Sequence, residues 1–349
     1  MFLLASLPVF LSAQIGGRYV YESLRMPASA RLTALGGSNV SLMTDELMSF
    51  TNNPALASEQ VHSRVGFSGV SYLADIGYGT AGYAHHVEEV GTFSGALQYV
   101  GYGDFTRADE FGNVQGSFSA NDMMLTLGAA RAFGDFHFGM NVKALYSTLD
   151  AYNSFGVGID FGGAYYNPNN DLGIGVSLRN IGTQLTTFDG ADPQNLPFDV
   201  SVGVSKRVPH TPFRLSLTLH NLNHPELLGS DENDPQTDLS GNPIENDPTL
   251  GDQIFAHSIF GLEVLLSENF HIRAGYNHQR RAELKLEEEA FSFTGFSVGA
   301  ALRIAKIRIE YSFARYFIQG GMHHIGISTA ISDFIHVYDT GESPTGTTP

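Results

Sequence analysis

The stretch FHFGMNVKALY (residues 136–146) decides the fold class, because large apolar side chains alternate along it with small or polar ones. One parity carries Phe136, Phe138, Met140, Val142, Ala144 and Tyr146, and the other carries His137, Gly139, Asn141, Lys143 and Leu145. The stretch IRIEYSF (307–313) repeats the scheme. A period of two is typical of β-strands that have one apolar face.

Working outward from these two stretches, alternation predicts fourteen strands. They cover roughly 64–74, 77–86, 91–102, 121–133, 136–148, 154–167, 171–181, 197–208, 213–223, 254–266, 270–277, 291–304, 307–316 and 321–334. The even-numbered connections are short, and Gly134-Asp135 has the composition of a two-residue hairpin turn. Most long connections are odd-numbered: 103–120, 182–196, 224–253 and 278–290. An even strand count with short turns at one rim predicts an all-β, fourteen-stranded transmembrane antiparallel barrel.

A soluble β-sandwich is the alternative that alternation alone leaves open. A sandwich of this size usually divides into two domains, yet no linker interrupts residues 64–334. Its outer faces would also be rich in Lys and Glu, whereas the less apolar positions here are mostly Gly, Ser, Asn and Ala. Small residues suit a crowded barrel interior, so the barrel is favoured.

Composition excludes several classes of protein. The 349 residues include 36 acidic and 19 basic ones, and the net charge of −17 argues against a nucleic-acid partner. The absence of Cys rules out disulfides, iron–sulfur clusters and Cys-ligated zinc. The sequence has no G-x-S-x-G nucleophile motif, so we predict neither an enzyme nor a cofactor.

The chain ends predict export and a division into four parts. Residues 2–13 (FLLASLPVFLSA) are apolar and precede small residues, which predicts a signal peptide over 1–14; a buried first strand is the alternative. Residues 15–60 do not alternate, and we expect them to fill the barrel mouth as an N-terminal plug. The barrel would occupy 61–335, and a polar tail 336–349. This layout predicts an integral protein of the cell outer membrane, in contact with its lipid.

Two motifs in the non-alternating segment carry a family resemblance. SARLTALGGSNVS (29–41) and TNNPALAS (51–58) resemble the PorV/PorQ family of the type IX secretion system, and the opening stretch resembles PorQ members most. The matching plug positions are Arg31, Gly36, Gly37, Asn53, Pro54 and Ala55. That family is similar to the FadL long-chain fatty-acid transporters, which implies fourteen strands and an N-terminal hatch.

The resemblance also implies partners and a role. Members of this kind are expected to work with a PorZ-like surface protein, a PorU-like sortase and a PorV-like barrel in a surface attachment complex. The implied function is a membrane anchor or scaffold subunit that holds the PorZ-like protein, with no chemistry of its own. The alternatives are a FadL-like outer-membrane transporter of hydrophobic molecules and a secreted soluble β-protein.

The connection 224–253 is strongly acidic and is a candidate partner-docking loop. It contains no Lys or Arg, and its acidic residues are Glu226, Asp231, Glu232, Asp234, Asp238, Glu245, Asp247 and Asp252. A solvated loop and a cation site are the other interpretations, although Pro235 breaks EF-hand spacing. His85-His86 and His323-His324 resemble metal pairs, but adjacent strand residues point to opposite faces, so we predict no metal site.

Several charged residues occupy strand positions that are predicted to face the barrel interior. The candidate lumen charges are Lys143, Arg179, Arg214, Arg273, Arg303 and Arg308, with Asp199 and Glu310. One interpretation is a pathway for anionic or amphipathic ligands, which would show as a steady, anion-selective conductance. The favoured interpretation is that these arginines bond the plug and one another, because lumen charges need partners.

Overall fold

The structure is a computed structural model of the chain. It describes residues 19–71, 76–190, 192–228, 249–284, 293–315 and 320–334. The predicted signal peptide and polar tail lie outside the described residues.

Fourteen antiparallel strands close into one barrel, in which each strand pairs with its sequence neighbours and β1 pairs with β14. The strand number and the closed antiparallel topology predicted from alternation are therefore confirmed. The strands are β1 (Arg64–Ser71), β2 (Gly77–Val87), β3 (Gly91–Ala108), β4 (Val114–Phe133), β5 (Phe136–Leu149), β6 (Tyr152–Asn167), β7 (Leu172–Thr186), β8 (Asp199–Arg207), β9 (Phe213–Leu219), β10 (Ser258–Leu265), β11 (Phe270–Asn277), β12 (Phe296–Ile304), β13 (Ile307–Ala314) and β14 (Met322–Ala330).

The barrel wall is apolar outside and polar inside. Along β13, Ile307, Ile309 and Tyr311 are exposed, while the alternate residues Arg308 and Glu310 are buried. A water-soluble protein would show the reverse polarity, since it hides apolar side chains from water. Closure of the sheet also leaves no unpaired strand edge along the paired registers. A protein in hydrocarbon needs this, because its backbone polar groups find no water to bond there. These features fit an integral barrel of the outer membrane.

In the part of the chain that the structure describes, no helix is both long enough and apolar enough to cross a membrane.

The two rims differ as predicted. Phe133 pairs with Phe136 across the two-residue turn, where Gly134 takes a φ of +61° that side chains other than Gly rarely adopt. The long connections before β10 and β12 contain the short helices α2 (Leu250–Ala256) and α3 (His278–Leu284). By analogy with known barrels, the short-turn rim faces the periplasm.

The predicted loop at 103–120 is wrong, because most of it is strand. β3 continues to Ala108 and β4 begins at Val114, so the two form a hairpin that extends beyond their pairing with β2 and β5. The side chain of Asp109 holds its tip, accepting hydrogen bonds from the backbone N–H groups of Phe111 and Asn113. Both faces of the hairpin are open to solvent, so the sequence has no apolar alternation to reveal it. The predicted loop at 182–196 likewise begins too early, since β7 runs to Thr186.

Residues 19–63, called the N-terminal segment below, lie within the barrel. The segment contains α1 (Ala30–Ala34) and four single turns of 3-10 helix: Glu22–Arg25, Leu47–Thr51, Pro54–Leu56 and Glu59–Val61. It begins beside the long-loop rim, where the Tyr19 hydroxyl is 2.7 Å from Nε2 of His224. It ends at the opposite rim, where the Ser63 carbonyl accepts a hydrogen bond from the backbone of Ile331. The segment thus runs from one rim of the barrel to the other.

Candidate functional site in the barrel lumen

An ion-pair cluster around Glu263 joins the N-terminal segment to the wall. Arg31, from α1, donates to both carboxylate oxygens of Glu263 at 3.0 and 2.8 Å. Arg273 donates to the same carboxylate at 2.9 Å and to Glu310 at 2.8 Å. Arg214 adds a contact at 3.3 Å. The side chains of Arg31, Glu263 and Arg273 are almost fully buried, so each charge depends on these partners.

A second link lies nearer the short-turn rim, between Asp45 and two wall arginines. Arg308 Nη1 donates to the Asp45 carboxylate at 2.8 Å, and Arg64 Nη2 reaches it at 3.3 Å. Burial alone would raise the pKa of Asp45, but the hydrogen bonds and charge of Arg308 and the nearby Arg64 hold it well below the usual range. Asp45 therefore remains ionised and fastens the segment to β1 and β13.

The wall facing the opposite side of the lumen has two further pairs. Lys143 Nζ lies 2.8 Å from Asp160, and Arg179 lies 2.5 Å from Asp199. Arg179 also donates to the side-chain oxygen of Asn52 at 2.8 Å. The charged lumen is therefore paired internally and, through Asn52, to the N-terminal segment.

Glu46 is a buried carboxyl of the segment that forms no ion pair among the described residues. It is buried beside the Glu263 cluster, and one of its oxygens accepts a hydrogen bond from the Met48 backbone at 3.3 Å. Burial, reinforced by repulsion from Glu310 and opposed by Arg31, raises the pKa of Glu46 to about 7. The Glu46 carboxyl therefore changes charge at a pH where most exposed carboxyls are already ionised.

Inward-facing glycines let the backbone of the segment touch the backbone of the wall. A Cβ atom on Gly175 of β7 would lie 1.8 Å from the carbonyl oxygen of Val40. A Cβ on Gly275 of β11 would lie 2.3 Å from the backbone nitrogen of Gly36. Any side chain at either position would displace the segment, which gives several of the 39 glycines a packing role.

The motif positions that carried the family resemblance shape the segment itself. Gly36 and Gly37 both have positive φ, +97° and +105°, and reverse the chain after α1. Asn53 is fully buried; its side-chain oxygen accepts from the Ala55 backbone and its amide donates to the carbonyl of Val40. Pro54 and Ala55 pack against Gly139 and Gly162 of the wall.

Most of the predicted lumen charges are brought together, and Arg303 is not. Lys143, Arg179, Asp199, Arg214, Arg273, Arg308 and Glu310 all point inward and form the pairs described above. Arg303 lies exposed at the short-turn rim, 3.7 Å from Asp333. Arg303 has inward parity, since it pairs with Arg308 across the ladder, but as the penultimate residue of β12 it lies where the lumen opens to water.

Glu263, the wall residue at the centre of the cluster, was not among the predicted lumen charges. The parity rule applied to β10 places Glu263 inward, as a lone acidic residue in an apolar strand. The same rule applies to Asp160 in β6. Arg31, the partner of Glu263 in the N-terminal segment, could not be found in this way, because the segment has no period.

The acidic connection is described only in part. Glu226 and Asp252 are exposed, and Asp252 forms a capping box with Thr249 at the start of α2. Asp231, Glu232, Asp234, Asp238, Glu245 and Asp247 lie outside the described residues. A docking role for this loop stays a prediction.

The histidine pairs separate onto two faces. His324 is buried against Thr33 at 2.9 Å, while His323 is exposed beside Tyr311. Within the described ranges, no group of three or more His, Asp or Glu side chains is placed to hold a metal ion.

A small void lies between the segment and the wall. One void of about 20 Å³ lies among Met26, Thr51, Asn52, Thr80 and Lys143. Such a volume is enough for a water molecule but not for a larger solute. With the segment in this position, the void does not provide a route for substrates.

The fold is similar to that of solved transporters of the FadL type. The Pseudomonas putida toluene transporter TodX matches with a TM-score of 0.53 and 13% identity, over 87% of this chain and 96% of that one. The Ralstonia pickettii toluene transporter TbuX matches at 0.51 and 12%, over 88% and 98%. A Pseudomonas aeruginosa FadL homologue matches at 0.50 and 9%, over 87% and 98%. At these identities the likeness concerns the fold.

No protein-family model matches the sequence. No curated protein matches it either.

Proposed function

We propose that this chain is a FadL-like outer-membrane transporter of hydrophobic molecules, in which the N-terminal segment acts as a hatch. The observation that carries the proposal is a closed fourteen-stranded barrel whose inward-facing side chains bond its own N-terminal segment. Similar solved barrels include proteins described as toluene transporters and a monoaromatic hydrocarbon channel. We propose small hydrophobic molecules as the substrate class of this chain too.

Passage through this barrel requires the hatch to move. The described lumen has room for water beside the segment, whereas a toluene-sized molecule needs several times that volume. Several contacts that hold the hatch are ionic or polar, so these can exchange with water when it shifts. The hatch would thus admit a hydrophobic solute without leaving an open pore for ions.

Uptake by whole cells tests the proposal. A host strain without FadL-type barrels would receive this chain, and the initial uptake of labelled toluene and of a labelled long-chain fatty acid would be measured. The proposal predicts faster uptake of at least one of them than in cells with an empty vector. The same rate in both strains, with the barrel present in the outer membrane, would contradict it.

The second candidate is the anchor subunit of a surface attachment complex, which the tight filling of the lumen favours. A scaffold needs no pathway, and the segment is fastened to the wall by ion pairs with Glu263 of β10 and Arg308 of β13. This candidate includes the PorZ-like, PorU-like and PorV-like partners that the family resemblance implies.

Deleting residues 230–247 distinguishes the two candidates. This change keeps the Thr249 capping box and the hydrogen bonds from Leu227 and Leu228 to Gln253. The anchor candidate predicts that a surface protein no longer co-purifies while the barrel stays folded. The transporter candidate predicts unchanged co-purification and, if anything, altered uptake.

A further inference from the structure

The lipid-facing wall has a groove that crosses five strands, from β8 to β12. Its volume is about 440 Å³, and its lining is almost entirely apolar. The outward-facing side chains that form it are Val204, Lys206, Leu215, Leu217, Phe260, Leu262, Ala274, Tyr276 and Phe296. On a barrel in a membrane, such a groove opens to the bilayer and not to water.

Strand register makes the groove rise from the short-turn rim into the membrane. Lys206, Leu215, Leu262 and Ala274 are neighbours across the sheet. Lys206 is one residue from the short-turn end of β8, and Leu215 is two residues from that end of β9. Leu262 is three residues from that end of β10, and Ala274 is four residues from that end of β11. With a rise of about 3.3 Å per residue and a tilt near 40°, Ala274 lies about 10 Å above the rim. This depth falls within one leaflet, whose hydrocarbon is about 15 Å thick.

The floor and the deep end of the groove are distinct. Ala274 is the smallest outward side chain in its row, between Leu262 and Val298, so the wall is hollow there. The end away from the short-turn rim is closed by an aromatic row at the long-loop ends of β10, β11 and β12, with ring centroids 6.5 Å apart for Phe260 and Tyr276 and 4.8 Å apart for Tyr276 and Phe296. Across four strand spacings of about 4.8 Å, the groove is roughly 19 Å long, close to an extended acyl chain.

The rim end of the groove is positively charged. Lys206 is exposed, and within the described ranges it forms no ion pair. Its neighbour Arg207 has the opposite parity and pairs with the inward-facing Arg214, so the positive charge at this end of the groove is that of Lys206. In a chain with a net charge of −17, this basic end is complementary to an anionic lipid headgroup at the membrane surface.

We propose that this groove is a binding site for one glycerophospholipid of the periplasmic leaflet. One acyl chain lies along Leu215, Leu262 and Ala274 beneath the aromatic row, and the phosphate lies against the ammonium group of Lys206. The site is on the outside of the wall, so it does not depend on the transport of solutes through the lumen.

Native mass spectrometry of the barrel, extracted from outer membranes in a mild detergent, tests the site. The wild-type chain should retain one phospholipid, identified by mass analysis of the released lipid. Ala274→Leu fills the hollow and should abolish retention. Lys206→Gln should weaken retention about fivefold, the factor for one basic residue worth about 1 kcal/mol at a membrane surface.

Ala129→Leu is the matched control, because Ala129 faces outward on β4, outside the groove. It adds the same bulk and should leave retention unchanged. Equal thermal unfolding of all variants shows that the barrel is intact. Equal lipid retention in all of them overturns the proposal. So does recovery of lipopolysaccharide, free fatty acid or hydrocarbon in place of a phospholipid.

Discussion

Glu263 is a central contact between the wall and the N-terminal segment, since three arginines share its carboxylate. Glu263→Gln keeps the shape of the side chain but leaves Arg31, Arg214 and Arg273 with too little negative charge. Breaking a buried pair in this way costs about 3–5 kcal/mol. We expect a clear fall in the thermal unfolding temperature of the detergent-solubilised barrel.

The control for this change is the rim pair Arg303–Asp333, whose side chains are both more than a third exposed. Asp333→Asn should change stability by less than about 1 kcal/mol, because water screens an exposed pair. Equal effects of the two substitutions would show that the Glu263 cluster does not hold the segment.

Glu46 predicts a pH dependence at the same scale. Its pKa rises from an ordinary 4.5 to about 7 in the folded state. Its contribution to stability is therefore fully present below about pH 4.5 and is lost as the pH rises through 7. Glu46→Gln stays neutral at every pH and keeps an oxygen for the Met48 backbone.

The variant should therefore match the wild type at pH 4.5 and unfold at a higher temperature than the wild type at pH 8.5. The measurement is the difference in unfolding temperature between the two proteins at each pH. A difference that does not change with pH would exclude a raised pKa at Glu46.

At the scale of elements, the contact between β7 and the N-terminal segment depends on Gly175. Gly175→Ala places a methyl group where the Val40 carbonyl lies, so the segment must shift away from the wall. We expect faster proteolysis within residues 19–63 while the strands stay protected. In Gly69→Ala the new methyl group meets nothing within 4 Å, so this control should be cut at the wild-type rate.

Alternation predicted the elements where one face of a strand meets lipid and the other meets a packed lumen. It was correct for β5 and β13, and for the turn at Gly134, whose positive φ suits glycine. It could not predict the hairpin of β3 and β4 beyond Gly101, because both faces there meet water and apolar side chains do not alternate. The contacts of the N-terminal segment could not be predicted, because they join residues distant in sequence, as between Arg31 and Glu263, which are 232 positions apart.

For the whole molecule, the sequence predicted the class of structure better than the function. Alternation and the two types of connection indicated the barrel and its membrane location. The choice between anchor and transporter depends on whether the hatch moves and on which molecules meet the rim. Neither property produces a periodic pattern in the sequence. Each depends on small free-energy differences among ion pairs such as that of Arg308 with Asp45.

The most direct measurement is uptake with the hatch tethered to the wall. The chain has no cysteine, so Ala30→Cys with Gly326→Cys creates one possible disulfide, between α1 and β14. A Cβ on Gly326 lies 3.7 Å from that of Ala30, near the 3.8 Å mean for disulfides. Gly66→Cys with Ser328→Cys is the control, since it links β1 to β14 within the wall at 3.5 Å.

A moving hatch predicts that oxidation stops uptake of labelled toluene or fatty acid in the tethered variant. Reduction should restore that uptake, and the wall-linked control should transport under both conditions. Equal uptake by the tethered variant in its oxidised and reduced forms would contradict the account, because the substrate would then pass without any movement of the N-terminal segment.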